Sequence, residues 1–270
     1  GDLRPRVDLW SRQDFGLERR ISFPPWLGTP LEARFSSDGQ WLIVADASGE
    51  IHLWNASTGG EHASFDADAR AFVTLGEGRR IAVSDEQGGL AIWRIQDRTI
   101  DARLGPRTGR AASLLAASQD GLRLAVLDGQ GTGEIVTWEL ESQRIVGRVG
   151  LANAGAVDVV FSHDGEALLV TTDEAGLQRG EVALAGDLTS WGGELGRRCR
   201  GALEMSPDGS MIACAAERGA LILSAEDGTL VRVVGDIDDV GPLDGLVFSP
   251  DGSALIAIGG GQLFEWSIDA

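Results

Sequence analysis

A four-residue turn that returns at a near-constant spacing is what most constrains this chain. It reads Ser36-Ser37-Asp38-Gly39, Ser118-Gln119-Asp120-Gly121, Ser162-His163-Asp164-Gly165, Ser206-Pro207-Asp208-Gly209 and Ser249-Pro250-Asp251-Gly252, with a degenerate copy at Gly76-Glu77-Gly78-Arg79. Asp120 to Asp164 is 44 residues, Asp164 to Asp208 is 44 and Asp208 to Asp251 is 43, while Asp38 to Asp120 is 82, two shorter steps. A small polar residue first and Gly last suits a type I turn closed at positive φ, and Pro in second place presets that turn. A fixed period of this length means one supersecondary unit repeated along the chain.

The unit is plainest from Ala33 to Gly60: an apolar strand, the turn, a nearly all-apolar strand, a Gly-bearing turn and a third strand ending in Trp54. Third strands recur at Ile51 to Trp54, Leu90 to Trp93, Ile135 to Trp138, Val182 to Leu184, Leu221 to Leu223 and Leu263 to Trp266. The second strands Trp41 to Ala45, Ala167 to Thr171, Met211 to Ala215 and Ala254 to Ile258 are apolar almost continuously. A strand wet on one face alternates, so these are covered on both. Four-stranded meanders packed radially supply that cover, and the period matches propeller blades.

The phrase FSSDG or FSPDG, an apolar strand, a Gly turn and an aliphatic strand closing on Trp is similar to WD40-repeat β-propellers of a bacterial style, from about Leu31 onward. Trp54, Trp93, Trp138 and Trp266 are followed by Asn, Arg, Glu and Ser instead of Asp, and the Gly-His dipeptide before the first strand is missing. The Asp-His-Ser-Trp network of well-formed repeats is therefore not carried over. What the resemblance implies is an all-β propeller of four-stranded antiparallel blades acting as a scaffold, sensor or regulatory domain, joined to or partnering a larger signalling protein.

The expected count is six blades, with seven as the alternative, in a single domain over residues 1–270. Val7 to Trp10 reads as a third strand and Arg19 to Phe23 as the outer strand after it, whereas the last repeat lacks an outer strand. Residues 1–23 are thus expected to supply a ring-closing strand to the final blade. Val7 to Trp10 is then surplus: an appended strand, or the remnant of a seventh blade completed by another segment or chain.

With 41 acidic against 23 basic residues, the net charge of −18 repels phosphate, and nucleic acid is an unsuitable partner. Every basic residue is Arg and Tyr is absent, which removes Schiff-base and phenolic chemistry. Cys199 and Cys214 read as reduced, Cys214 as a small buried hydrophobe, pointing to a cytoplasmic setting. No run reaches the roughly 18 apolar residues of a membrane span.

No Gly-x-Ser-x-Gly elbow, paired metal-spaced His or phosphate loop is present, so no catalytic residue, cofactor or metal is assigned. The three His read as isolated, and the acidic run Asp236 to Asp244 departs from calcium-loop spacing. The best contact candidate is the connector Trp191 to Arg200, where Trp191, Arg197, Arg198 and Arg200 form a positive, aromatic spot in an acidic protein. Arg107 and Arg110, in the connector between the second and third repeats, are a weaker second. The expected partner is a protein. The alternative is a small-ligand or hydrolytic propeller using Asp46, Asp85, Asp128 and Asp173 in the second-to-third-strand turns, with carboxyl pKa values raised by crowding.

Overall fold

The computed structural model describes residues 6–11, 16–24, 28–36, 38–76, 78–105, 109–127, 133–151, 155–183, 186–235 and 243–268. It is built almost wholly of antiparallel strands. An N-terminal ribbon pairs β1 (Arg6–Trp10) with β2 (Leu17–Ser22). The first sheet is β3 (Pro30–Phe35), β4 (Trp41–Asp46), β5 (Glu50–Asn55) and β6 (Glu61–Asp66) in sequence order. The second is β7 (Ala69–Leu75), β8 (Arg80–Asp85), β9 (Leu90–Arg94) and β10 (Thr99–Leu104). The third is β11 (Leu115–Ala117), β12 (Arg123–Leu127), β13 (Glu134–Glu139) and β14 (Arg144–Gly150).

The fourth sheet joins β15 (Ala156–Phe161), β16 (Ala167–Thr172) and β17 (Gly176–Glu181); after it β18 (Gly186–Asp187) pairs parallel with β14 and β19 (Thr189–Ser190) pairs with β17. A four-residue helix, α1 (Gly193–Gly196), leads to the fifth sheet: β20 (Leu203–Met205), β21 (Met211–Ala215), β22 (Ala220–Ser224) and β23 (Leu230–Val234). The sixth has three strands among the described residues, β24 (Leu243–Phe248), β25 (Ala254–Gly259) and β26 (Gln262–Ser267). Contacts divide the chain into two compact units, residues 1–115 and 116–270.

The recurring turn has one set of hydrogen bonds. At Ser36, Ser118, Ser162, Ser206 and Ser249 the hydroxyl donates to the Asp two residues on, at 2.6 to 2.7 Å. The N–H two residues beyond each Asp donates to the same carboxylate at 2.9 to 3.1 Å. The first N–H of the following strand donates back to the Ser hydroxyl at 2.9 to 3.0 Å. Gly closes the turn at φ between 67° and 74°, where a side chain is strained. Asp recurs because its short carboxylate reaches its own turn backbone.

Both faces of β4, β8, β16 and β21 are buried, as their unbroken apolar sequence requires, but β25 departs from that expectation: Ile258 is 48% exposed and Ile256 only partly buried. Ile43 and Ala45 pack with Phe72, Ile81 and Val83 of the second sheet, while Leu42 and Val44 on the opposite face pack with Ile21 and Phe23 of the ribbon. In the other unit, Leu169 and Leu177 of the fourth sheet meet Ile212, Leu221 and Leu223 of the fifth, whose other face meets Leu243, Phe248 and Leu255 of the sixth.

Two expectations are corrected. Arg19 to Phe23 does not add a fourth strand to the sixth sheet; β2 takes the local partner β1, and Phe23 lies 5.4 Å from Trp54 in the first sheet. The third strand of the fourth sheet is Gly176–Glu181, not Val182 to Leu184: β17 pairs with all of β16, and Val182 and Ala183 form a turn. Its sequence, GLQRGE, lacks the aliphatic pattern that marks the other third strands, which hid it.

Candidate protein-interaction site

The Arg-bearing connector is a folded loop fastened at several points. Trp191 donates its N–H to the Leu177 carbonyl at 3.0 Å, and its half-buried indole packs on the core that includes Leu177, Leu221 and Leu223. Gly192, at φ 75°, turns the chain into α1, and Arg200 donates its N–H to Ala215 at 3.2 Å. Gly176 makes the close approach possible, since a Cβ there would sit 2.5 Å from the Gly196 carbonyl oxygen.

A disulfide joins Cys199 to Cys214 of β21, with Cα atoms 5.5 Å apart and both residues fully buried. This corrects the reading of two reduced cysteines. The repeat places Cys214 mid-strand and the connector folds Cys199 onto it; the pairing is a tertiary fact that 15 residues of separation do not disclose.

Arg197, Arg198 and Arg200 are exposed on this fastened loop. Arg197 pairs with Glu194 at 3.4 Å across one exposed turn, and Arg200 Nε donates to the Arg197 carbonyl at 3.3 Å. An exposed pair of this kind is worth only about 0.2 to 1 kcal/mol, so the guanidinium is easily redirected to a partner carboxylate. Trp191 is the anchor of the loop and the arginines are its outward groups. Arg110 is exposed in the connector after β10; Arg107 lies outside the described residues.

Two acids of the alternative reading, Asp46 and Asp85, are engaged by their own turns. Asp46, 1% exposed, accepts from the N–H groups of Ser48, Glu50 and Gly28 and from the Ser48 hydroxyl, at 2.5 to 3.1 Å. Burial pushes its carboxyl up, but bonds from Ser48, Glu50, Gly28 and His52 outweigh it and hold it below the ordinary value, the reverse of the crowding expected. Asp85 accepts from Gln87 and Gly89 at 2.9 and 2.7 Å, and Asp173 from Gly155 at 3.0 Å. Asp128 and the run Asp236 to Asp239 lie outside the described residues.

His52 is not isolated. It is buried on β5 with Nε2 3.3 Å from Asp46 Oδ2 and Nδ1 3.1 Å from Glu61 Oε1. Glu50 lies 3.8 Å away, giving three donor groups of metal-ligand type close together, but Asp46 Oδ1 already accepts from the Ser48 and Glu50 N–H groups of its turn and Oδ2 from the Gly28 N–H. The arrangement is a buried structural clasp between turn and strands. Its only sequence signal was a His in an otherwise apolar third strand.

No family model matches the chain. Over 52 residues it is 35% identical to WD repeat-containing protein 82 of Drosophila melanogaster, covering 19% of this chain and 16% of that protein. Over 267 residues it is 27% identical to Tricorn protease homolog 1 of Streptomyces coelicolor, covering 89% of this chain and 23% of that protein. The chain therefore spans less than a quarter of the length of either curated relative. Among solved structures it is similar to the β-propeller domain of Myceliophteria thermophila Cps50 (Swd1), with a TM-score of 0.73 and 15% identity over 97% of this chain and 90% of that one. With six consecutive antiparallel meanders and this likeness in fold, the chain is an all-β, six-bladed propeller.

Proposed function

We propose that this propeller is a non-catalytic protein-interaction module, serving a larger regulatory or scaffolding assembly through the Trp191 to Arg200 connector. One observation carries the reading: three exposed arginines sit on a loop held rigid by a buried disulfide, a packed indole and backbone bonds, in a protein of net charge −18. Rigid presentation lowers the entropy lost on binding, and Arg is among the residues that dominate interface energetics. The partner surface it fits is acidic, with carboxylates placed for bidentate contact. WD40-type propellers commonly mediate protein contacts, and the Tricorn homolog, of which this chain matches 23%, supports membership in a larger polypeptide. Against a hydrolytic role, Asp46 and Asp85, two of the acids of the alternative reading, cap their own turns.

Affinity capture from the native source, run in parallel with wild type and the Arg197→Glu/Arg198→Glu/Arg200→Glu variant, tests the proposal. A protein retained by wild type and lost from the variant supports it. Identical retention profiles for the two contradict it.

A further inference from the structure

The clasp at His52 is short of one positive charge. His52 and Glu50 are two residues apart on β5, so both side chains leave the same face of the strand, and Asp46, at the end of β4, reaches the same ring. Nδ1 stands 3.1 Å from Glu61 Oε1 of β6, while Nε2 stands 3.3 Å from Asp46 Oδ2 and 3.8 Å from Glu50 Oε2. A neutral imidazole carries one N–H, and ionised carboxylates only accept. The shorter contact takes that proton, so Nδ1–H donates to Glu61. Nε2 then turns a lone pair toward two carboxylates, at a depth where Asp46 and His52 are 1% and 2% exposed. Acceptor facing acceptor is unfavourable there unless a cation stands between them.

We infer that Asp46, Glu50 and His52 bind one divalent metal ion of the zinc type. Two features favour a metal over a second proton. A proton on Nε2 points at one carboxylate oxygen, whereas an ion serves both. The spacing also fits: ligand atoms about 2.0 to 2.2 Å from a tetrahedral ion are about 3.3 to 3.6 Å apart. The Nε2 to Oδ2 separation of 3.3 Å is such an edge, and the 3.8 Å to Glu50 closes by a small turn of that partly exposed side chain. Among the described residues, no other three side chains of metal-ligand type bring their ligand atoms within 4.8 Å of one another.

An imidazole with two carboxylates suits zinc better than calcium or magnesium, which take oxygen ligands. The Gly28 N–H uses one lone pair of Asp46 Oδ2 at 2.9 Å and leaves another for the ion, while Oδ1 stays with the turn. Glu61 holds the far ring nitrogen, the carboxylate–histidine–metal arrangement that fixes the tautomer and makes the ligand more basic. Entry is from the side of Glu50, 39% exposed, where water completes the coordination. The ion ties the turn between β4 and β5 to β5 itself. This site is separate from the arginine loop, and its failure would leave that reading standing.

The test is a calorimetric titration of the chelator-treated 270-residue protein with zinc chloride. Cys199 and Cys214 are joined and do not compete for the ion. Expected are one zinc per chain, at least about tenfold weaker binding in Glu50→Gln and about 10- to 100-fold weaker binding in Glu61→Gln. His163→Ala, which removes an exposed imidazole from another blade, should change nothing. Glu50 is partly exposed, so its variant keeps the test decisive even where His52→Ala fails to fold. Absence of binding overturns the inference, and so does equal binding by wild type and Glu50→Gln, the mark of adventitious surface zinc. A third contrary result is a His52 ring protonated on both nitrogens at neutral pH and unaltered by zinc in nitrogen-15 NMR.

Discussion

The Ser206 hydroxyl donates to the Asp208 carboxylate at 2.7 Å, and that carboxylate also receives the N–H and hydroxyl of Ser210 at 2.8 to 3.0 Å. These bonds, led by the Ser210 N–H, favour the charged form and bring the Asp208 pKa down to about 2. The ordinary carboxylate value is about 4, so the folded protein holds this proton less tightly than the unfolded chain. Its stabilisation is present above about pH 4 and is lost as pH falls toward about 2. Carbon-detected NMR titration should place the midpoint near 2, and Ser206→Ala should move it upward. An unchanged midpoint in the variant would show that the hydroxyl is not part of the cause.

The Cys199–Cys214 bond closes a loop of 15 residues of separation, for which the chain-entropy estimate is about 3 kcal/mol. Cys199→Ala/Cys214→Ala should lower unfolding free energy by about that amount in urea melts. Thiol alkylation of unfolded but unreduced protein should label neither cysteine. A persistent disulfide is also the mark of an oxidising compartment, so the same labelling in fresh extract tests the cytoplasmic setting read from cysteine scarcity.

Phe72 is 1% exposed and fills the contact between the first two blades against Ile43, Ala45 and Val83. Truncation leaves a cavity, and Phe72→Ala should cost about 3 to 5 kcal/mol in chemical unfolding. Phe35 is 49% exposed, and Phe35→Ala should cost less than about 1 kcal/mol.

His52 is buried between carboxylates, and its removal leaves the Glu61 and Asp46 oxygens without that partner. His52→Ala should destabilise the fold by about 1 to 3 kcal/mol, from lost polar satisfaction and lost volume. A change near zero would mean that water replaces the imidazole without penalty.

Where short-range chemistry decides structure, the sequence sufficed. The Ser-x-Asp-Gly turns bond within themselves, and Trp41–Asp46 or Ala167–Thr172 show burial on both faces through unbroken apolarity. Where the outcome depends on which distant group arrives, it did not. Arg19 to Phe23 reads equally well as an outer strand for any third strand, and only the fold selects β1. Gly176–Glu181 buries only Gly176, Leu177 and Gly180, two of them glycines, so it shows no apolar signature of its own. Trp191 and Arg197 look alike as contact residues in a loop, yet one is packed inward and the other is exposed.

The central claim is that the propeller works by presenting the arginine loop to an acidic protein surface. Amide exchange across residues 189–200, with and without the partner recovered by capture, measures it directly. The account predicts slowed exchange there, abolished by reversing Arg197, Arg198 and Arg200 to Glu. Protection confined to the turns of Asp46, Asp85 and Asp173, with the loop unaffected, would contradict it.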